Sequence, residues 1–196
     1  LCYFKYRGFF LNELYDGLRK LGVEPGYEKL NPLAIFNPVG ISFYTFQAMS
    51  YTVDVFRGEL RARRSLLDVA VFISFFPHLV AGPIQRASFL LPQVEADRRF
   101  SLRQASSGFY LMVWGFFKKL VVADRLALYV NDVYANPQAH NGLQLSIATV
   151  FFAYQIYCDF SGYSDIAIGS ARVLGFRLME NFRSPYHSRS VAEFWQ

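Results

Sequence analysis

The 196-residue sequence predicts an all-α, multi-pass membrane fold, a bundle of transmembrane helices interleaved with broken or re-entrant ones. Three observations carry that expectation. The chain is 53% hydrophobic and 18% aromatic, yet its mean hydropathy is only +0.18, so apolar segments should alternate with charged turns. Three windows hold no Asp, Glu, Lys or Arg: between Lys29 and Asp54, from Val69 to Gln85, and from Val133 to Cys158. Each is near the roughly 20 apolar residues that span a bilayer, although the third includes a polar turn. Finally, arginines border apolar runs, as at Arg57, Arg61, Arg63 and Arg64, which is how cytoplasmic loops of membrane proteins look. Buried helices of a large soluble enzyme are the competing explanation. The chain reads as a single membrane domain over residues 1–196, an internal stretch of a longer protein, since no methionine begins it and EFWQ stops in a helix just begun.

Residues 1–22 predict the tail of a helix and an amphipathic interfacial turn, with Leu11, Leu14, Leu18 and Leu21 on one face. Pro25, Gly26, Asn31 and Pro32 break the chain before a first membrane segment from about Phe36 to Val55. Ser65 with Asp68 makes a capping-box start for the run Val69 to Val80, which Pro77, Gly82 and Pro83 interrupt. Arg86, Arg98, Arg99 and Arg103 make the far side of that run basic as well, so a single crossing is poorly oriented and a re-entrant segment is expected. Ser101 with Gln104 starts a helix through Lys118, Lys119 and Asp124, where the lysine pair marks an interface. A turn at Asn136 to Gly142 precedes a long helix, about Leu143 to Leu174.

The formal charge of +5 comes without an aromatic-interleaved basic stripe, which argues against nucleic acid as a partner. Cys2 and Cys158 have neither CxxC spacing nor a histidine beside them, so metal and disulfide readings are weak. No GxSxG elbow, HExxH, Walker loop or GxGxxG occurs.

Within the long helix, the stretch YQIYCDFSG at Tyr154 to Gly162 places the carboxylate of Asp159 in an apolar run, where it is costly without a partner or a task. Gln155, Asp159 and Tyr163 follow at i, i+4 and i+8 on one face, and Cys158, Ser161 and Asp165 form a neighbouring stripe. Helix-to-helix hydrogen bonding is the favoured explanation for Gln155, Ser161 and Tyr163, and the reverse holds for Asp159. His78, between prolines in FFPHLVAGPIQR, is a second candidate for lining a polar chamber, against the commoner fate of a satisfied structural histidine. His140 and His187 fall in polar loops and read as surface groups.

Three blocks together resemble the membrane-bound O-acyltransferase family, in particular its bacterial alginate O-acetylation branch: PVGISFYTFQAMSYTVDVFRG at Pro38 to Gly58, FFPHLVAGPIQR at Phe75 to Arg86, and YQIYCDFSGYSDIAIGSARVLGF through NFRSPYHSRSVAEFWQ at Tyr154 to Gln196. The resemblance implies O-acyl transfer in a tunnel through the cell inner membrane, with a histidine base expected just after Gln196 and Asp159 supporting it. Ser190 and Glu193 form the capping box of the helix that would carry this base. His78, Gln155, Ser161, Tyr163 and Asp165 are then candidates for the tunnel wall. It also implies acetyl-CoA or another acyl thioester as donor substrate, with no bound cofactor. The implied partners are the lipid bilayer, an exported polysaccharide such as alginate or an intermediate acyl-accepting protein, and other polysaccharide acetylation proteins. D-alanyl transfer to a cell-envelope polymer is the nearest alternative; a transporter or a scaffold that recruits a soluble partner is the non-enzymatic one, although no paired halves are visible.

Overall fold

A computed structural model describes residues 6–28, 40–79, 82–83, 85–97, 99–182 and 184–194. Cys2, Asn31, Pro32, the start of the first apolar segment at Phe36, Arg98 and the final Trp195 and Gln196 lie outside them. The described residues are helical and contain no strand. Helix α1 (Arg7–Lys20) carries Leu11, Leu14 and Leu18 at helical spacing, and Arg19 and Lys20 complement its C-terminal dipole. Leu21, expected on the same face, is instead the C-cap residue and is exposed. Tyr27 folds the following turn back, donating to the Leu11 carbonyl at 2.9 Å.

Helix α2 (Ile41–Phe56) starts at Gly40, whose φ of 75° and whose closeness to the Leu79 carbonyl both exclude a side chain. Helix α3 (Leu66–Ser74) starts as the sequence predicts, with the Ser65 hydroxyl accepting from Asp68 N at 3.2 Å. It ends well before Val80, because Phe75 is extended and Phe76–His78 forms a 3-10 turn around Pro77. The chain then doubles back as α4 (Ala87–Glu95), a helix the sequence reading lacks because Arg86 offers no side-chain cap and Pro92 lies inside it. Arg63 and Glu95, whose Nε and Oε1 are 2.9 Å apart, hold the two ends of this hairpin together. Each arm has nine residues. That is about 13 Å of helix, less than half of a hydrocarbon core about 30 Å thick.

Helix α5 (Leu102–Phe116), capped by Ser101 on Gln104 N, continues through a π turn (Phe117–Ala123) into α6 (Asp124–Ala135), so residues 102–135 form one rod. Helix α7 (Gly142–Val173) returns antiparallel to it, begun by a full capping box between Asn141 and Gln144. The two rods touch backbone to backbone at two glycine pairs. A Cβ on Gly108 would lie 2.5 Å from the Gly169 oxygen, and one on Gly115 would lie 2.5 Å from the Gly162 oxygen. The glycines of each rod are two turns apart, so both pairs face inward together.

The hairpin packs on the C-terminal end of α7. Phe72, Phe75, Leu90 and Leu91 meet Ile168 and Ala171 there, and Phe176 and Leu178 of the next segment complete this core. Two glutamines tie that extended segment to α4. Gln93 donates to the Arg177 carbonyl at 3.0 Å and accepts from Arg177 N at 2.8 Å, while buried Gln85 accepts from Met179 N at 3.0 Å. Tyr186 then donates to the Ala153 carbonyl at 2.8 Å, bringing the chain back along α7 to α8 (Val191–Phe194).

Among the described residues no helix is both long enough and apolar enough to cross a membrane. With 32 residues α7 is about 48 Å long, so its composition and not its length is what fails. We expect Gly162→Ala, which puts a methyl 2.8 Å from the Gly115 oxygen, to cost about 2 kcal/mol in a melting experiment on the protein in detergent. Gly17→Ala in α1, where nothing lies within 4 Å, should be neutral or add up to about 1 kcal/mol. Equal effects at both positions would refute close packing as the reason for Gly162.

Candidate active site

The chemistry-bearing side chains gather where the π turn crosses α7. An ordinary helix turns successive residues about 100° apart, but the wider π turn and the missing Cβ of Gly162 let both Lys118 and Lys119 reach α7. A Cβ at Gly162 would meet Lys119 N at 3.1 Å and Lys118 Cβ at 3.2 Å. Lys118 Nζ lies 2.7 Å from Asp165 Oδ2 and donates to Ser161 Oγ at 3.1 Å. Lys119 Nζ lies 2.6 Å from Asp159 Oδ1 and 2.8 Å from Asp124 Oδ1. Two ion pairs therefore straddle one glycine.

The pairs differ in burial. Lys118 and Asp165 expose 14% and 22% of their side chains, whereas Lys119 and Asp159 expose 37% and 52%. Separating the first pair strands a largely desolvated charge; separating the second leaves Lys119 with Asp124 and leaves Asp159 in contact with solvent. Asp165 thus has the more enclosed position of the two carboxylates.

Beside Lys118 opens a polar cavity of about 340 Å³, walled by Ser161, Ser164, Asp165 and Arg172 of α7, by Lys118, and by Glu180 and Asn181 of the returning segment. Tyr157 and Phe182, which meet edge to face with centroids 6.0 Å apart, close one side. Ser164 is 2% exposed and its hydroxyl has no hydrogen-bond partner, so the cavity wall holds an unsatisfied polar group that a polar guest would satisfy. The Tyr186 ring packs on Tyr154 and Tyr157 and stacks on Phe194, which carries α8 past the same face of α7. At the head of α8 the Ser190 hydroxyl accepts from Glu193 N at 3.1 Å, and the Glu193 carboxylate accepts from Arg189 N at 2.7 Å, one residue earlier than in a regular capping box.

Of the residues singled out from sequence, Ser161 and Asp165 line this cavity together. Asp159, Gln155 and Tyr163 lie on the other stripe of α7 and do not line it; the Gln155 side-chain oxygen is buried without a partner. His78 is elsewhere, at the tip of the hairpin, 2% exposed, with Nε2 2.7 Å from Gln47 Oε1. Because an amide oxygen can only accept, Nε2 carries the proton, and the buried Nδ1 has no partner. Gln47 also donates to the Phe72 carbonyl at 3.1 Å, so this pair fastens the hairpin to α2. His187 is exposed in its 3-10 turn, and His140 follows the turn at Pro137–Ala139.

Lys118, Ser164, Arg172, Glu180 and Asn181 were not expected at a site. A signal for the lysines was present in the seven-residue glycine spacing of both rods, which sets the antiparallel register and with it their partners on α7. Ser164 and Asn181 have no local signal.

Residues 30–196 match the profile of the membrane-bound O-acyltransferase family, MBOAT. The chain is 40% identical over all 196 residues to a protein named probable alginate O-acetylase from Pseudomonas syringae pv. tomato, covering 37% of that relative. It is 30% identical to a peptidoglycan O-acetyltransferase of Helicobacter pylori, covering 100% of this chain and 41% of the relative. It is 26% identical to a teichoic acid D-alanyltransferase of Bacillus subtilis, covering 84% of this chain and 42% of the relative. The chain belongs to the membrane-bound O-acyltransferase family, and it spans about two fifths of the length of these relatives.

The burial difference between the two ion pairs predicts unequal substitutions. Asp165→Asn should lower stability by about 1–3 kcal/mol in a detergent melt, since Lys118 loses its counter-ion. Asp159→Asn should cost less than about 1 kcal/mol, because Lys119 keeps Asp124. The reverse order would mean that the pairing is not what the geometry indicates.

Proposed function

We propose, on the premise of this family membership, that the protein is a membrane O-acyltransferase that moves an acetyl group from an activated donor to hydroxyls of an exported polysaccharide such as alginate. The observation that carries this reading is the 40% identity to a probable alginate O-acetylase over every residue of the chain. The acceptor hydroxyl gives its proton to a histidine base and attacks the acyl carbonyl carbon; the tetrahedral intermediate collapses with loss of a thiolate, which takes the proton back. Acetyl-CoA or another acyl thioester is the donor in this scheme. The polysaccharide, or an intermediate acyl-accepting protein, is the acceptor, and other polysaccharide acetylation proteins are partners.

In this scheme Asp159 orients and charge-stabilises the base, which the resemblance places just after Gln196. Its half-exposed carboxylate can approach a second cation without stranding Lys119. A specific observation favours a second assignment: Asp165, not Asp159, lines the polar cavity past which Tyr186 carries the chain to α8. D-alanyl transfer, the activity in the name of the Bacillus subtilis relative, is the alternative chemistry.

An inner-membrane, multi-pass location follows from the same proposal, the family being membrane-bound. It is supported by the outer face of the α5–α6 rod, where Phe109, Tyr110, Trp114, Leu120 and Leu128 are all more than half exposed. A face that apolar is stable against lipid or other protein segments and costly against water. The basic Arg57 to Arg64 turn would lie in the cytoplasm.

Two experiments test the proposal. In the whole protein expressed in its own membrane, Asp159→Asn should leave melting nearly unchanged and reduce polymer O-acetylation about 10²-fold or more. Normal acetylation by that variant, with loss confined to Asp165→Asn, transfers the supporting role to Asp165; acetylation unaffected by either removes both. Cysteines placed at Ala62 and Ala96, the two ends of the hairpin, should label from the same side of intact cells. Labelling from opposite sides would exclude the re-entrant topology.

A further inference from the structure

Two further cavities, which share Arg172 with the polar one, open where the start of α5 meets the end of α7. One, of about 460 Å³, is lined by Arg103, Arg172, Arg177 and the apolar Phe89 and Leu178; the other, of about 260 Å³, is lined by Arg99, Phe100 and Arg172. They share Ser101, Gln104 and Arg172, so they form one cleft with four guanidinium groups on its walls. Among the described residues no carboxylate lines either cavity, and none pairs with these four arginines. Arg63, Lys118 and Lys119, by contrast, each have a counter-ion in place.

Four arginines on walls that carry no carboxylate repel one another, although Arg172 also borders the polar cavity that Asp165 and Glu180 line. The base of Arg172 sits beside the Gly108–Gly169 contact, where a Cβ on Gly108 would meet its Cβ at 3.0 Å, and the backbone of Arg177 is held by both hydrogen bonds to the Gln93 side chain. An anion relieves that repulsion, and the planar guanidinium fork matches the tetrahedral oxygens of a phosphate. The first turn of α5 adds its positive dipole end to the same cleft. The volume suits one or two phosphate groups with an apolar neighbour against Phe89 and Leu178.

We propose that this arginine cleft binds a phosphate-bearing ligand, either the headgroup of an anionic phospholipid or the phosphates of a soluble molecule. The cleft shares Arg172 with the polar cavity but does not rest on the acyl-transfer reading, and its test reads binding alone. The whole protein is purified in neutral detergent at fixed ionic strength and melted with inorganic pyrophosphate or with short-chain phosphatidylglycerol. At least one probe should raise the melting temperature saturably; pyrophosphate identifies a soluble phosphate source, and phosphatidylglycerol alone identifies a headgroup. Arg172→Gln and Arg103→Gln should each raise the midpoint concentration about tenfold, as loss of one charge-assisted contact does. Arg57→Gln, outside the cleft, should leave it unchanged. Arg103 is exposed, so its variant keeps the test decisive if Arg172→Gln fails to fold. No stabilisation by either probe, or equal weakening by Arg57→Gln, overturns the proposal.

Discussion

The rest of the structure depends on the contact between the α5 rod and α7, where two pairs of glycines let backbone meet backbone. Close approach at two points two turns apart fixes the separation, the register and the rotation of both rods at once. Everything polar in the site inherits its position from that register. Gly162 is both a member of one glycine pair and the residue over which the two lysines lean. Gly169 adjoins Arg172 by three positions, so the opposite end of the contact sets the wall of the arginine cleft.

The charges near the π turn show why such a register has to be held firmly. Enclosed ion pairs contribute little net stability, because desolvation offsets most of their attraction, but they penalise any displacement that separates them. The pair of Lys118 and Asp165 therefore selects one arrangement of the rods more than it stabilises it. The exposed pair of Lys119 and Asp159 has no such strictness, and its carboxylate is free for other company.

Much of the fold was legible because its start signals are local. The caps at Ser65, Ser101 and Ser190 all hold, and α7 begins and ends within one residue of the boundary that the turn at Asn136 to Gly142 implied. The doubling back at Pro77, Gly82 and Pro83 was legible from helix breakers set between basic flanks. Helix α4 was not, since it has no side-chain cap and carries Pro92 inside it, and it is stabilised by Phe72, Phe75 and Phe176 packing on its face. The apolar windows promised spans, yet α2 and α3 are short and α7 is diluted by Gln155, Asp159, Asp165 and its serines. Asp159 was singled out for its cost in an apolar run, and it lies half exposed beside Lys119, outside the cavity. The cavity was not legible, because its wall is assembled from α7, the π turn and residues 180–182, which no sequence window spans.

The π turn also acts as a phase corrector in the long rod. An extra residue accommodated between Phe117 and Ala123 displaces everything after it by about 100° around the helix axis. With that displacement, Gly108 and Gly115 face α7 on one side of the turn while Tyr129 and Tyr134 meet Phe151 and Phe152 of α7 on the other. Rewinding those residues as regular α-helix with none removed would rotate α6 by about 100° about its axis and take Tyr129 off Phe151 and Tyr134 off Phe152. A π hydrogen-bond pattern seven residues long thus sets which residues of α6 the rod presents to the neighbour that its glycines already touch.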